Sequence, residues 1–133
     1  MNEKWLLKDT GNLNQMLRVR ADKTLTNVCE KFKDLVIIKH QYHIADDIMF
    51  PDPSCLAFFT AFEESHLQNL EEEGNLVLFV VDIFEGKLSL YIYCNDAQKC
   101  VYDSISFLKS NSLYSCEFEI ILNDYGKILK KII

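Results

Sequence analysis

The alternation of apolar and polar positions is clearest between residues 76 and 94. Two apolar runs, Leu76 to Phe84 and Leu88 to Cys94, flank Glu85-Gly86. A two-residue connection ending in glycine between strand-like runs is a hairpin signature. With Phe84 opposite Lys87, a period of two sets Val77, Phe79, Val81, Ile83, Leu88, Leu90, Ile92 and Cys94 on one face. That face reads as core. The other carries Leu78, Val80, Asp82, Ser89, Tyr91 and Tyr93, a mixture of aliphatic, tyrosine and acid.

Upstream, Pro51 and Pro53 mark residues 45–53 as a loop, Ser54 is the expected helix cap, and Gly74 is placed to end the helix. At 100° per residue, Leu56, Phe59, Phe62, His66, Leu67 and Leu70 share one arc, and Glu63 falls inside it. Glu63 and His66, at i and i+3, are expected to form a buried hydrogen-bonded pair, with an acid–base couple as the functional alternative. Downstream, Asn95 or Asp96 caps a second helix over 97–109 with Val101, Ile105 and Leu108 as its apolar line. Residues 115–123 alternate again, with Phe118, Ile120 and Leu122 inward and Glu117, Glu119 and Ile121 outward. Residues 35–43 form a further strand, with Val36, Ile38 and Tyr42 on one side and Lys39 and His43 on the other.

Residues 34–124 therefore read β-α-β-β-α-β, and the predicted fold is α+β and ferredoxin-like, with helices on one face of an antiparallel sheet. In that topology the strand at 76–84 lies at an edge although it is apolar on both sides. The N-terminal third is therefore expected to cover or extend it, through short strands at 4–8 and 16–21. Leu25, Val28, Phe32 and Leu35 follow at helical spacing. The chain of 133 residues is expected to be a single domain, with an extension (1–33), a core (34–124) and a basic, apolar tail (125–133).

Charge changes this picture more than bulk composition does. Residues 1–40 carry a net +3, residues 41–124 a net −12, and the last nine residues +3. A block of −12 opposes binding to a phosphate backbone and favours a basic protein partner. The N-terminal apolar run breaks too early for a signal-peptide core, and the run Leu76 to Val81 is far too short to span a bilayer. Five cysteines, odd in number and without a C-x-x-C pair, suit a reducing compartment; the expected location is cytoplasmic.

No catalytic constellation emerges. His40 and His43 point to opposite faces of a strand, so no shared metal site is expected there, and no cysteine is spaced for Cys-His chemistry. Gly-rich phosphate loops and G-x-S-x-G are absent, so no cofactor is expected; Arg18, Arg20 and Lys23 read as a solvated cluster. Where residue types converge is the outward sheet face. Asp82, Tyr91, Tyr93, Glu117 and Glu119 are the candidate partner-binding residues, followed by the acidic loop at Asp46, Asp47 and Asp52. Tyrosine supplies contact area at low entropy cost, and carboxylates beside it suit lysine or arginine of a partner.

The order of elements resembles a known group. Trp5, the loop from Asp46 to Pro53, Phe62-Glu63, the hairpin at Glu85-Gly86 and Asn123-Asp124-Tyr125 are similar to the markers of a bacterial family of unknown function grouped with the type B regulators of ribonuclease E activity. That resemblance implies a ferredoxin-like domain and inhibition of a ribonuclease by direct binding. In size and charge the chain is also similar to immunity proteins against nuclease toxins. The leading expectation is an immunity protein, with a regulator of an endogenous ribonuclease second and an enzyme a distant third.

Overall fold

The computed structural model describes residues 4–42 and 50–133. Six strands form one antiparallel sheet: β1 (Trp5–Lys8), β2 (Met16–Arg20), β3 (Asp34–Gln41), β4 (Leu76–Phe84), β5 (Lys87–Cys94) and β6 (Glu117–Ile121). Their order is β1-β2-β4-β5-β3-β6, so the N-terminal strands do extend the β4 edge. Among the described residues four helices accompany them. These are α1 (Leu25–Lys31), α2 (Pro53–Ala61, continuing through a π turn at Phe62–Leu67 into Gln68–Glu72), α3 (Ala97–Leu108) and α4 (Lys127–Ile132). The fold is α+β, and its six-strand order is not that of a simple four-stranded ferredoxin sheet.

The hairpin has the expected register at its turn and departs from it further along. Glu85 and Gly86 both have positive φ, 50° and 83°, as the tight turns that match strand twist require. Pairs run Phe84↔Lys87, Ile83↔Leu88, Val81↔Leu90 and Val80↔Tyr91, and a bulge then shifts the ladder so that Leu78, not Phe79, opposes Ile92. The expectation that Val77 and Phe79 line the same face as Val81 is thereby corrected. One extra residue reverses the alternation. Leu76 and Leu78 join Val81 and Ile83 beneath α2 and α3, while Val77, Phe79 and Val80 turn to the opposite face.

That opposite face is a second core. Leu17, Val28, Phe32, Leu35, Ile37, Tyr93 and Leu129 pack there with Val77, Phe79 and Val80. Helices were expected on one face only. Instead α1 and α4 contribute Val28 and Leu129 to the second face, and the molecule has three layers. The C-terminal segment, expected as a tail, is the helix α4, with Leu129 wholly buried.

Helix α2 starts earlier than expected and ends where expected. Asp52, not Ser54, is the N-cap; its side chain accepts from the Cys55 amide, and Pro53 occupies the first turn. Its buried positions are Cys55, Phe59, Phe62 and Leu67. The spacings of four and three are α-helical, and the step of five from Phe62 to Leu67 is the i, i+5 step of the π turn. At the other end Gly74 donates to the Glu71 carbonyl and Asn75 to that of Leu70, a Schellman closure with Gly74 at φ 81°. In α3, capped by Asp96 as expected, the buried line is Ala97, Cys100, Ser104 and Leu108; Val101 and Ile105 are only half-buried. Phe118 reaches the core below α2 and α3, but Ile120 and Leu122, expected inward, are exposed because β6 is the last strand and lies beyond the cover of the helices.

Candidate functional site

The ladder determines which predicted site residues meet. One row across the second face runs Leu17, Asp82, Ser89, Lys39, Glu117; the next runs Val19, Val80, Tyr91, Ile37, Glu119. Asp82, Tyr91, Glu117 and Glu119 are thus gathered in two adjacent rows near the hairpin turn. Tyr91 is half-buried, and burial pushes its phenol up, as do the negative charges of Asp82 and Glu119. Burial also raises the Asp82 carboxyl, opposed by a 3.0 Å hydrogen bond from Gln15 Nε2 to its Oδ1. Lys39 Nζ reaches Glu119 Oε1 at 2.6 Å, whereas Glu117 is exposed and forms no ion pair among the described residues. An open patch of one tyrosine, three carboxylates and one lysine results.

Tyr93 does not belong to it. Its side chain is fully enclosed, and its hydroxyl donates to Asp124 Oδ2 at 2.7 Å. Its placement on a partner-binding surface is therefore corrected, because α1 and α4 close over that half of the face. Asp124 also accepts from the amides of Gly126 and Ile128, which ties the start of α4 to the sheet. The backbone there is tightly turned: Asn123, Tyr125 and Gly126 all have positive φ. A Cβ on Gly126 would stand 3.0 Å from Cys29 Sγ, so the position needs glycine for space as well as conformation. Of the acidic loop, Asp46 and Asp47 lie outside the described residues, and Asp52 is occupied in capping α2.

A second constellation was not anticipated as a site. Between β1, β2 and α2 lies a cleft of about 300 Å³ lined by Lys4, Trp5, Arg18, Arg20, Glu63 and Glu71, among others. Both guanidiniums lie over the Trp5 ring, at 4.9 Å for Arg18 and 5.4 Å for Arg20. Arg18 Nη2 bonds Glu63 Oε1 at 2.8 Å. Arg20 is almost wholly buried and uses all five N–H groups, two to Asp22, two to Glu71 and one to the Leu78 carbonyl. Arg18 and Arg20, expected with Lys23 to be a solvated cluster, instead form a latch joining the N-terminal strands to α2. The π turn sets its geometry. Eight α-helical positions rotate about 80° past two turns, and the extra residue removes most of that, so Glu63 and Glu71 both face β2.

The expected Glu63–His66 pair does not form, since Glu63 turns to Arg18. The His66 ring stacks on Phe62 at 5.3 Å between centroids, its Nε2 has no hydrogen-bond partner among the described residues, and burial lowers its pKa. His40 lies among Phe59 and Tyr114 with Nδ1 2.8 Å from the Ser115 carbonyl oxygen; His43 lies outside the described residues. Burial pushes the Cys55 and Cys116 thiols up to about 11. Cys100 is raised by its hydrogen bond with Cys94 and by burial, and Cys29 by burial. None of these four is activated as a thiolate nucleophile. Among the described residues no group of three or more His, Cys, Asp or Glu is placed to hold a metal ion, and no helix is long and apolar enough to cross a membrane.

Glu63 supplies a pH test of the latch. Burial, the larger effect, raises its carboxyl and Arg18 opposes the rise, leaving the folded-state pKa above the ordinary value. The folded state therefore holds this proton to higher pH than the unfolded chain. Stability from this group falls as pH rises from about 4.3, the ordinary glutamate value, through the folded value. Glu63→Gln keeps an acceptor for Arg18 and has no such slope. Its Tm relative to the parent should rise between about pH 4 and about pH 7; a Tm difference constant across that range would contradict the assignment.

A family model described as a family of unknown function (DUF695) matches residues 6–129. The chain belongs to that family. No curated protein and no solved structure matches it. In this DUF695 chain the matched span begins beside Trp5 and ends within α4, so it takes in the Arg18 and Arg20 latch, the acid–tyrosine patch and the Tyr93–Asp124 closure.

Proposed function

We propose that this protein is a small acidic binding protein that inhibits a basic partner by direct contact, and that the partner is a nuclease toxin. The observation that carries the reading is the patch itself. A half-buried tyrosine lies between Asp82 and Glu119 on the half of a sheet face that α1 and α4 leave open, with Glu117 beside it. Rigid aromatic area ringed by carboxylates suits arginine or lysine side chains around a nuclease active site. The block of −12 over residues 41–124 would speed encounter with such a surface.

We further infer a ferredoxin-like ancestry for residues 34–124. In its favour are the order β4-β5-β3-β6 and the passage of both α2 and α3 over one face. That topology would suit a relationship to the type B regulators of ribonuclease E activity, and so an endogenous ribonuclease is the other partner to test. Five free thiols are consistent with a cytoplasmic setting.

The test is binding kinetics against purified nuclease-toxin domains and the catalytic part of ribonuclease E, with thermal unfolding of each variant as control. Tyr91→Ala should speed dissociation, costing about 1–4 kcal/mol if it is a hot spot. Glu117→Lys should slow association, most strongly at low salt. Folded variants that bind as fast and as tightly as the parent would remove this face from consideration.

A further inference from the structure

The sheet ends at β6, whose inner side pairs with β3 and whose outer side has no strand partner among the described residues. The two faces of this edge differ chemically. On the side of α2 and α3, Phe118 opens onto a cavity of about 390 Å³ whose apolar wall includes Ile105 and Leu108. Beyond it Ile120 is 42% exposed and Leu122 64%. On the opposite face stand Glu117 and Glu119.

An unpaired strand edge offers backbone N–H and C=O groups to an incoming extended chain. Residues of that chain alternate between faces, so here every second one would meet the apolar notch and every other one the carboxylates. We propose that β6 is a docking edge for an extended segment of a partner protein that alternates apolar with lysine or arginine side chains, added as a seventh, edge strand. This deepens the reading above and rests on it for the partner's sign of charge. Charge complementarity favours such a segment over a second copy of this chain. A two-fold pairing centred on Phe118 or Glu119 sets glutamates directly opposite each other, and like charges opposite one another destabilise. The opposite end of the sheet offers less. There β1 is four residues long, carries Lys8, and is flanked by the Arg–Glu latch rather than by an apolar notch.

The experiment uses the full chain with a blocked peptide of alternating valine and lysine, read by fluorescence anisotropy and by amide hydrogen exchange. The expected result is saturable binding with new protection in residues 117–121. Glu117→Lys, at an exposed position, should weaken it about five- to tenfold. N-methylating the peptide at every second residue should abolish binding, because charge remains but the ladder donors are lost. A valine–glutamate peptide should not bind. Equal binding of the N-methylated peptide would overturn the proposal by reducing the contact to charge alone. Protection of β6 that grows with protein concentration and needs no peptide would overturn it in favour of a second copy. If no β6 amide is protected while Tyr91→Ala still weakens nuclease binding, the edge proposal fails and the acid–tyrosine patch stands.

Discussion

Arg20→Ala should cost about 3–5 kcal/mol of folding stability, measured by urea unfolding, because it leaves the buried Leu78 carbonyl and the half-buried Glu71 carboxylate uncompensated. The Arg20 guanidinium holds Glu71 through two bonds, of 2.7 and 2.9 Å, Asp22 through two more, and the Leu78 carbonyl at 3.0 Å. With it removed, Glu71 remains half-buried in a cleft that still contains Glu63 and Glu64. Against a total of about 5–15 kcal/mol for a typical domain, such a loss is large. Arg20→Lys should recover only part of it, since an ammonium has three donors and no planar fork for the carboxylate. A loss below about 1 kcal/mol, the range of an exposed ion pair, would show that the latch contributes little. Near-UV circular dichroism supplies a second readout, because Trp5 is the only tryptophan and lies under this guanidinium.

Asp124→Ala should be comparably damaging, at about 3–5 kcal/mol, and should release α4 before the rest of the fold. One enclosed carboxylate accepts from the Tyr93 hydroxyl and from two backbone amides at the start of α4, and hydrogen bonds to charged groups are worth about 1.5–3 kcal/mol each without being additive. Tyr93→Phe removes one of the three and should cost about 1–2 kcal/mol. The double variant should fall short of the sum, since the two changes delete a shared bond. Hydrogen exchange should then accelerate first in residues 127–132. Uniform acceleration through the sheet would instead mean that Asp124 supports the whole domain rather than the docking of one helix.

Much of this architecture was legible in the chain because it rests on local chemistry. The Glu85-Gly86 turn, the Asp96 cap, the Gly74 closure and the period of two along β3 and β5 each depend on residues within a few positions of one another. The unsatisfied apolar faces of residues 76–84 likewise pointed to N-terminal strands beside them, and β2 is there. The gathering of Asp82, Tyr91, Glu117 and Glu119 on one face also follows from parity alone, since each strand was placed in phase near the hairpin turn.

What the chain could not disclose arises where one residue is inserted or where distant segments meet. The bulge at Phe79 and the π turn at Phe62–Leu67 each add a single position; in a strand such an insertion reverses the face of every side chain beyond it, and in a helix it rotates the apolar stripe by part of a turn. That is why Phe79 and Val77 were placed in the wrong core; Glu63 does lie on the buried side of its helix, with Arg18 rather than His66 as its partner. Arg18 and Arg20 looked solvated because their acceptors, Glu63 and Glu71, are 45 and 51 positions away. Tyr93 looked available because Asp124 and α4, which enclose it, come some thirty residues later. Hydrophobic pattern located most of the buried positions, but the exposure of Ile120 and Leu122, the choice between the two cores and the pairing of charges were decided by tertiary contacts that the pattern does not encode.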